Sequence, residues 1–231
     1  MPSPAKAPVP STRPREPAGR PRRAALALAG LLIAAGCSSA YYSMMETFGV
    51  EKREILKDNV IEGRADQQEA KRQFRTTLEA FRAASGFEGG NLEKLYGELN
   101  SELGTCESRA DRVRSSIDSI EEVAGDLFEE WKTEVARYKD AELRDKSRAM
   151  LERTQEDYKQ VIGAMRRAEK AMDPVLDGFR DQVLFLKHNL NAAAVSSLHG
   201  NVAAIEADVD KLIKDMEASI AEADDFIKTL G

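Results

Sequence analysis

The chain has 231 residues, of which 32% are charged and only 6% are aromatic. Residues 1–36 hold six of the 34 basic and one of the 40 acidic residues, so the 195 residues that follow carry 28 bases and 39 acids, a net charge of −11. A phosphate backbone would repel such a chain, which argues against nucleic acid as a partner, and two cysteines are too few for a disulfide framework.

The first element is an apolar run, Ala24–Gly36, that directly follows two arginines. Its 13 residues are too few for a membrane-spanning helix, which takes about 20, but they suit the apolar region of a secretory signal. Small residues close the run and Cys37 follows, an arrangement that resembles bacterial lipoprotein signals, in which the cysteine is lipidated and becomes the new N-terminus. We interpret residues 1–36 as a lipoprotein signal peptide and Cys37 as the lipidation site. The alternative is an ordinary cleaved signal that leaves Cys37 as a free thiol.

The residue after the cysteine indicates a location. In the familiar sorting of Gram-negative lipoproteins, an aspartate at this place retains the protein in the inner membrane. Ser38 therefore predicts a protein anchored in the outer membrane through Cys37 and facing the periplasm. Several acyl chains would hold it stably, whereas a single chain binds a membrane only marginally.

Beyond the signal, the high charge and the scarcity of Gly and Pro favour long, exposed helices. We expect a short tether at 37–43 and a helical bundle domain at 44–231. The first helix is predicted at 44–85 and has a polar middle, Gly63–Gln73. This polar stretch indicates a polar core layer or a solvated segment in preference to a partner-binding groove.

The second helix, predicted at 91–138, has the clearest pattern. Its apolar residues follow one another at steps of three or four, which is the repeat of a coiled-coil stripe. Asn91 is a fitting N-cap, and a turn containing two glycines precedes it. The stripe consists of Leu92, Leu95, Leu99, Leu103, Cys106, Ala110, Val113, Ile117, Ile120, Ala124, Leu127, Trp131, Val135 and Tyr138.

The third helix is predicted at 141–189 and keeps its apolar phase across Pro174, which predicts one continuous, kinked helix. A fresh start, with Asp173 as N-cap, is the alternative. Its stripe consists of Leu143, Ser147, Met150, Thr154, Tyr158, Val161, Met165, Ala168, Met172, Leu176, Phe179, Val183 and Leu186.

A tight turn at 189–191 should separate this helix from a fourth at 192–230, because asparagine both ends and caps helices. Short links between helices of similar length predict an elongated, antiparallel, up-down-up-down four-helix bundle of the all-α class. Without the turn at 189–191, a three-helix arrangement with one very long helix replaces it.

Three stretches, YYSMMETFGVEKREIL (41–56), DLFEEWKTE (126–134) and DPVLDGFRDQVLFLKHNLNA (173–192), are similar to a bacterial lipoprotein family catalogued as domain of unknown function 2959. The resemblance covers essentially all of 37–231. It implies the class of protein and its location, and it implies no activity.

Motifs for chemistry are absent from the sequence. No glycine is followed by lysine, as a phosphate-binding loop requires, and no Glu-x-x-His pair or calcium-loop pattern occurs. We expect Cys106 to be a buried small hydrophobe, His188 to cap a helix or face solvent, and Trp131 to be core. The acidic stretch 206–226 is expected to be a solvated face, with recognition of a basic partner as the alternative.

These observations predict a non-enzymatic, membrane-anchored, periplasmic helical-bundle lipoprotein without a metal or cofactor. It would serve as an envelope scaffold or protein-interaction module and bind another protein of the cell envelope. The alternative is a carrier or sensor that holds a lipid-like ligand between its helices. The sequence leaves the oligomeric state open.

Overall fold

The computed structural model describes residues 52–87 and 89–230, except for the side chains of 192–194. These residues form four α-helices in chain order: α1 (Lys52–Ser85), α2 (Leu92–Val135), α3 (Ala141–His188) and α4 (Ala192–Leu230). The helices contain 34, 44, 48 and 39 residues. At a rise of about 1.5 Å per residue they are about 50–70 Å long. No strand occurs within this described part, and the predicted all-α class is confirmed.

The four helices pack as a closed ring in which α1 and α3 each contact both α2 and α4. Contacts between α1 and α4 show an antiparallel pair: Arg53 donates to the carbonyl of Leu230, whereas Lys71, further along α1, reaches back to Glu217. The other neighbouring pairs run antiparallel in the same way. The predicted up-down-up-down four-helix bundle is therefore confirmed.

Local sequence explains where the helices begin and end. Asn91 and Asp140 are N-caps whose side chains accept hydrogen bonds from the backbone N–H three residues later, each at 3.0 Å. Gly89 and Gly90 have φ angles of +143° and +137°, which glycine adopts more easily than any other residue. Asn189 caps the end of α3, so the turn at 189–191 exists and the three-helix alternative is wrong.

Pro174 lies inside α3, which continues on both sides of it. The prediction of one continuous helix is confirmed, and the alternative of a fresh helix start at Asp173 is wrong. The pyrrolidine ring is exposed. The residues that follow it, Val175 and Leu176, are fully buried, so packing of the neighbouring turn holds the helix together across the missing hydrogen bond.

The core is built from the apolar stripes of all four helices. Phe81 of α1 stacks on Phe179 of α3 with ring centroids 4.7 Å apart. The polar middle of α1 also turns inward, since Gly63, Gln67 and Ala70 are buried. One face of this stretch therefore joins the core, with Gln67 as its polar member, while Ala65, Gln68 and Arg72 on the other face are exposed to solvent. The largest fully buried side chains are Phe74, Phe81, Phe179, Leu56, Leu99, Ile117, Ile120, Met165, Met172, Leu176, Leu212 and Met216.

The predicted stripes fail where α2 meets α3. Tyr138 lies beyond the end of α2 and is exposed, as are Leu143 and Met150 of α3, while Trp131 is only half-buried. Lys52 of α1 pairs with Glu130, so these exposed residues lie beyond the level at which Lys52 contacts α2.

Other boundary predictions differ by a few residues. The second helix ends at Val135 instead of residue 138, and the third ends at His188. The signal at 1–36, the tether at 37–43 and the predicted helical residues 44–51 lie outside the described residues. Among the described residues, no helix combines the length and apolar character that a membrane crossing needs.

Candidate functional surfaces

The predicted lipidation site, Cys37, lies outside the described residues. The described bundle offers two kinds of candidate surface: charged and nucleophilic side chains, and exposed apolar side chains.

Cys106 is fully buried on the core-facing side of α2. Burial is the largest influence on its thiol and raises the pKa from 9.0 to about 12, although a hydrogen bond with Thr77 acts in the opposite direction. A nucleophilic cysteine needs a thiolate and access to substrate, and this thiol has neither at neutral pH. The interpretation of Cys106 as a buried small hydrophobe is confirmed.

The two histidines are exposed, His188 at the last residue of α3 and His199 on α4. Neither forms a hydrogen bond with Cys106 in the described part of the chain, so the structure does not assemble a Cys–His pair. In the same part, no cluster of three or more His, Cys, Asp or Glu side chains is arranged to hold a metal ion.

An open groove of about 670 Å³ lies between α1 and α2. Charged and hydroxyl-bearing side chains line it, and the Ser116 hydroxyl donates to Asp66 at 2.5 Å. The groove contains no histidine or cysteine, and four of its residues are acidic. Its lining residues are Glu62, Asp66, Gly104, Glu107, Ser108, Asp111, Arg112, Ser115 and Ser116.

Arginines join α2 to α3 along the outside of the bundle. Arg166 of α3 contacts Asp118 at 2.6 Å and Glu121 at 2.5 Å, both on α2. These hydrogen bonds, that of Glu121 first, raise the pKa of Arg166, so the guanidinium stays charged. Arg180 makes a similar bridge to Glu107 at 2.6 Å. These ion pairs join the two longest helices, and the guanidinium groups of Arg166 and Arg180 are both occupied by carboxylates.

The acidic stretch 206–226 faces basic side chains of α1. Three of its eight acids form ion pairs there, among them Glu217 with Lys71 and with Arg75, both at 3.3 Å. The other two pairs are Arg64 with Asp224 and Arg82 with Glu206. Three of the eight acidic side chains are thus paired with α1, which supports a structural role for this part of the stretch.

Two exposed apolar surfaces lie at opposite ends of the bundle. We call residues 131–153, where α2 turns into α3, the hairpin tip. The other surface, which we call the distal patch, consists of Leu184, Phe185 and Leu190 at the end of α3, with 56%, 43% and 41% of their surfaces exposed. Single exposed apolar residues are ordinary, whereas here three large ones occur within seven positions of the chain.

Sequence reasoning missed the distal patch because it followed the stripe alone. Val183 and Leu186 belong to the stripe and are buried, whereas Leu184 and Phe185 fall between them on the outer face. The available signal was the unbroken apolar run VLFL at 183–186, which is wider than one face of a helix needs.

Comparison with known proteins adds a family and no activity. Among curated proteins there is no match. A family model described as "Protein of unknown function (DUF2959)" matches residues 41–230, which is most of the chain and includes all four helices. The chain belongs to the DUF2959 family.

Proposed function

We propose that this protein is a non-enzymatic lipoprotein, anchored at the periplasmic face of the outer membrane through Cys37, whose helical bundle serves as a scaffold that binds another envelope protein. The observation that carries the proposal is the distal patch. It offers an apolar surface at the end of the bundle opposite to the end where α1 begins.

The two ends follow from the helix order. Lys52 at the start of α1 pairs with Glu130 near the end of α2, whereas Leu184 and Phe185 lie near the end of α3. Because α3 runs antiparallel to α2, the end of α3 is at the opposite end of the bundle. An anchor preceding α1 would hold one end at the membrane and present the distal patch about 50 Å or more away from it.

The interior supports a structural role. Apolar side chains from all four helices fill the described core, and the groove between α1 and α2 is open and lined by charged residues, serines and one glycine. Buried apolar side chains of this kind stabilise a bundle and do not bind polar substrates. Partner recognition would then depend on the outer surface, as when helices pack together through exposed apolar positions.

Site-specific photo-crosslinking in cells tests the scaffold role. A photoreactive amino acid at position 184 or 185 should give one discrete adduct with an envelope protein. The matched control places the same amino acid at Lys170, an exposed residue in the middle of α3 that has no ion pair within the described residues. We expect no adduct from position 170.

The adduct should also disappear when Leu184→Asp is combined with a crosslinker at 185. Equal crosslinking from 170 and 185, or none from either, would contradict a specific partner site at the distal patch.

The alternative of a lipid-like ligand between the helices predicts a ligand that co-purifies in native mass spectrometry. A single apo mass under several growth conditions would count against that alternative.

A further inference from the structure

We propose that the hairpin tip is a second membrane contact, which lies against an anionic phospholipid surface independently of the lipid on Cys37. The inference goes beyond the proposed anchor, because it assigns a membrane-facing surface to the folded bundle itself. Three observations carry it: apolar exposure, charge and position.

The first observation is an apolar stripe that is buried along most of α3 and exposed at the tip. Deeper in α3 the stripe is core, as Val161 and Met165 show, but Leu143 is 52% and Met150 is 55% exposed. Across the link, Tyr138 is 42% exposed and Trp131 is half-buried. Tryptophan and tyrosine favour the membrane–water interface, where one part of the ring is apolar and another is hydrated.

The charge of the hairpin tip is opposite to that of the molecule. Residues 131–153 contain seven basic and five acidic residues, whereas the chain as a whole has a formal net charge of −6. Arg137 and Lys139 flank Tyr138, are exposed and have no ion pair among the described residues. Arg153 is also exposed and has no ion pair among the described residues. Exposed basic residues beside aromatic ones are what an anionic lipid surface attracts.

Several other basic residues of the tip pair only with acids of their own helix. Lys132 pairs with Glu129 at 2.7 Å, and Lys146 with Glu142 at 2.6 Å. These exposed, local pairs are weak and exchange readily with other anions. The tip could therefore present several cations to lipid headgroups without breaking any contact that holds the bundle together.

The position of the tip completes the argument. Phe128 and Phe226 both contact the ring of Tyr158, at centroid distances of 5.4 and 6.3 Å, so the end of α4 lies level with the base of the tip. Lys52 pairs with Glu130 at the same level. α1 therefore begins beside the base of the tip, and the proposed anchor on Cys37 precedes α1 in the chain.

Trp131 provides the test because it is the only tryptophan in the chain. Its fluorescence therefore reports on the tip, whatever the rest of the protein does. Residues 37–231 carrying Cys37→Ala, which lack the basic and apolar segment 1–36, are mixed with vesicles of phosphatidylglycerol or of phosphatidylcholine, each prepared with and without brominated acyl chains. We expect a blue shift and bromine quenching on the anionic vesicles, roughly twofold or more greater than on the zwitterionic ones, and a decrease in high salt.

The charge variant is Arg137→Glu with Lys139→Glu, which should lose most of the quenching. Its matched control, Lys170→Glu with Lys211→Glu, changes the net charge equally at exposed sites of α3 and α4 that have no ion pair in the described chain. The control should quench like the parent. Circular dichroism confirms that all variants fold.

Three outcomes would overturn the proposal. Equal quenching on both lipids would exclude anionic recognition. A Trp131 that neither vesicle quenches would show that the tip does not contact a membrane. A shift that depends on protein concentration without vesicles would show that a second copy does so. Since Cys37→Ala carries no lipid, failure of the proposed anchor would leave this result unchanged.

Discussion

At the residue scale, Gln67 is the most unusual side chain of the interior. It is fully buried in α1, and within the described residues neither its amide nitrogen nor its amide oxygen has a hydrogen-bond partner. The hydroxyl of Ser219 on α4 is buried and unpaired in the same way. An unsatisfied buried polar group costs about 1–3 kcal/mol, so this layer weakens the bundle.

Replacing Gln67 with methionine should therefore stabilise the protein. Methionine has a similar length and flexibility but no amide to desolvate, and we expect the free energy of unfolding to rise by about 1–3 kcal/mol. Urea denaturation measures the change. Gln73→Met is the control: Gln73 donates to Glu102 at 2.8 Å, so its loss should not stabilise the bundle. A less stable Gln67→Met protein would mean that the amide is satisfied, for example by a buried water.

The raised pKa of Cys106 predicts that the free energy of unfolding falls at high pH. Its folded pKa is raised to about 12 from 9.0, so below pH 9 the thiol is protonated in both states and the full stabilisation is present. As the pH rises from 9 towards 12, the unfolded chain releases the proton first and stability falls, by up to about 1.4 kcal/mol per pH unit.

Unfolding in urea at pH 8 and pH 10.5 checks this dependence in a chain that carries Cys37→Ala. The further change Cys106→Ala should make the loss of stability at high pH smaller. In the native state the thiol should react with a maleimide only as fast as the protein unfolds. Fast reaction in the absence of denaturant would contradict the buried, protonated thiol.

At the element scale, Pro174 lowers the stability of α3, although the helix continues through it. Proline lacks the N–H that would bond one turn back, and its ring crowds the preceding carbonyl. Because Pro174 is exposed, its replacement removes no core contact. Pro174→Ala should raise the free energy of unfolding by up to about 3 kcal/mol.

Thermal and urea unfolding measure this gain, and Lys170→Ala serves as an exposed control on the same helix. The control should change stability by less than about 0.5 kcal/mol. A neutral or destabilising Pro174→Ala would indicate that the proline favours the helical geometry of α3 in a way that alanine cannot replace.

The close approach of α1 and α2 depends on a glycine. A Cβ atom at Gly63 would lie 2.9 Å from the Cδ1 atom of Ile120, so the two helices meet where α1 has no side chain. Ile120 is fully buried at this point. Ile120→Asp should cost more than about 4 kcal/mol, because the carboxylate would lose water without gaining a partner.

Ser119→Asp, one residue away on the exposed face, is the matched control and should leave the helical signal and the melting temperature almost unchanged. Retained helicity in Ile120→Asp would contradict the packing of α2 against α1. Comparison of the two variants separates the effect of burial from that of charge alone.

At the scale of the whole molecule, the periodicity of apolar residues predicted most of the fold but little of the exposed surface. The stripe from Leu99 to Ala124 predicted α2 correctly because all of these positions face neighbouring helices. The same pattern failed at Leu143 and Met150, since periodicity indicates which face is apolar but not whether another helix covers it. Coverage depends on where α1 and α4 begin and end.

To predict the two candidate surfaces, one must likewise know which helices cover a given residue. The distal patch required knowing that Leu184 lies outside the stripe, and the hairpin tip required knowing which ends of the helices are level. Both follow from the antiparallel packing of long helices, which no single stretch of sequence states. The lipidation of Cys37, by contrast, is a prediction from a local pattern of residues that needs no fold.

The central claim is a lipid anchor on a helical bundle, and metabolic labelling with an alkyne fatty acid tests it most directly. Cells expressing the wild type or Cys37→Ala are labelled, and their membranes are fractionated. The account predicts a labelled protein in the outer membrane and loss of both label and anchoring in the variant. An unlabelled wild-type protein, soluble in the periplasm, would contradict it and leave a soluble binding protein with a free thiol at Cys37.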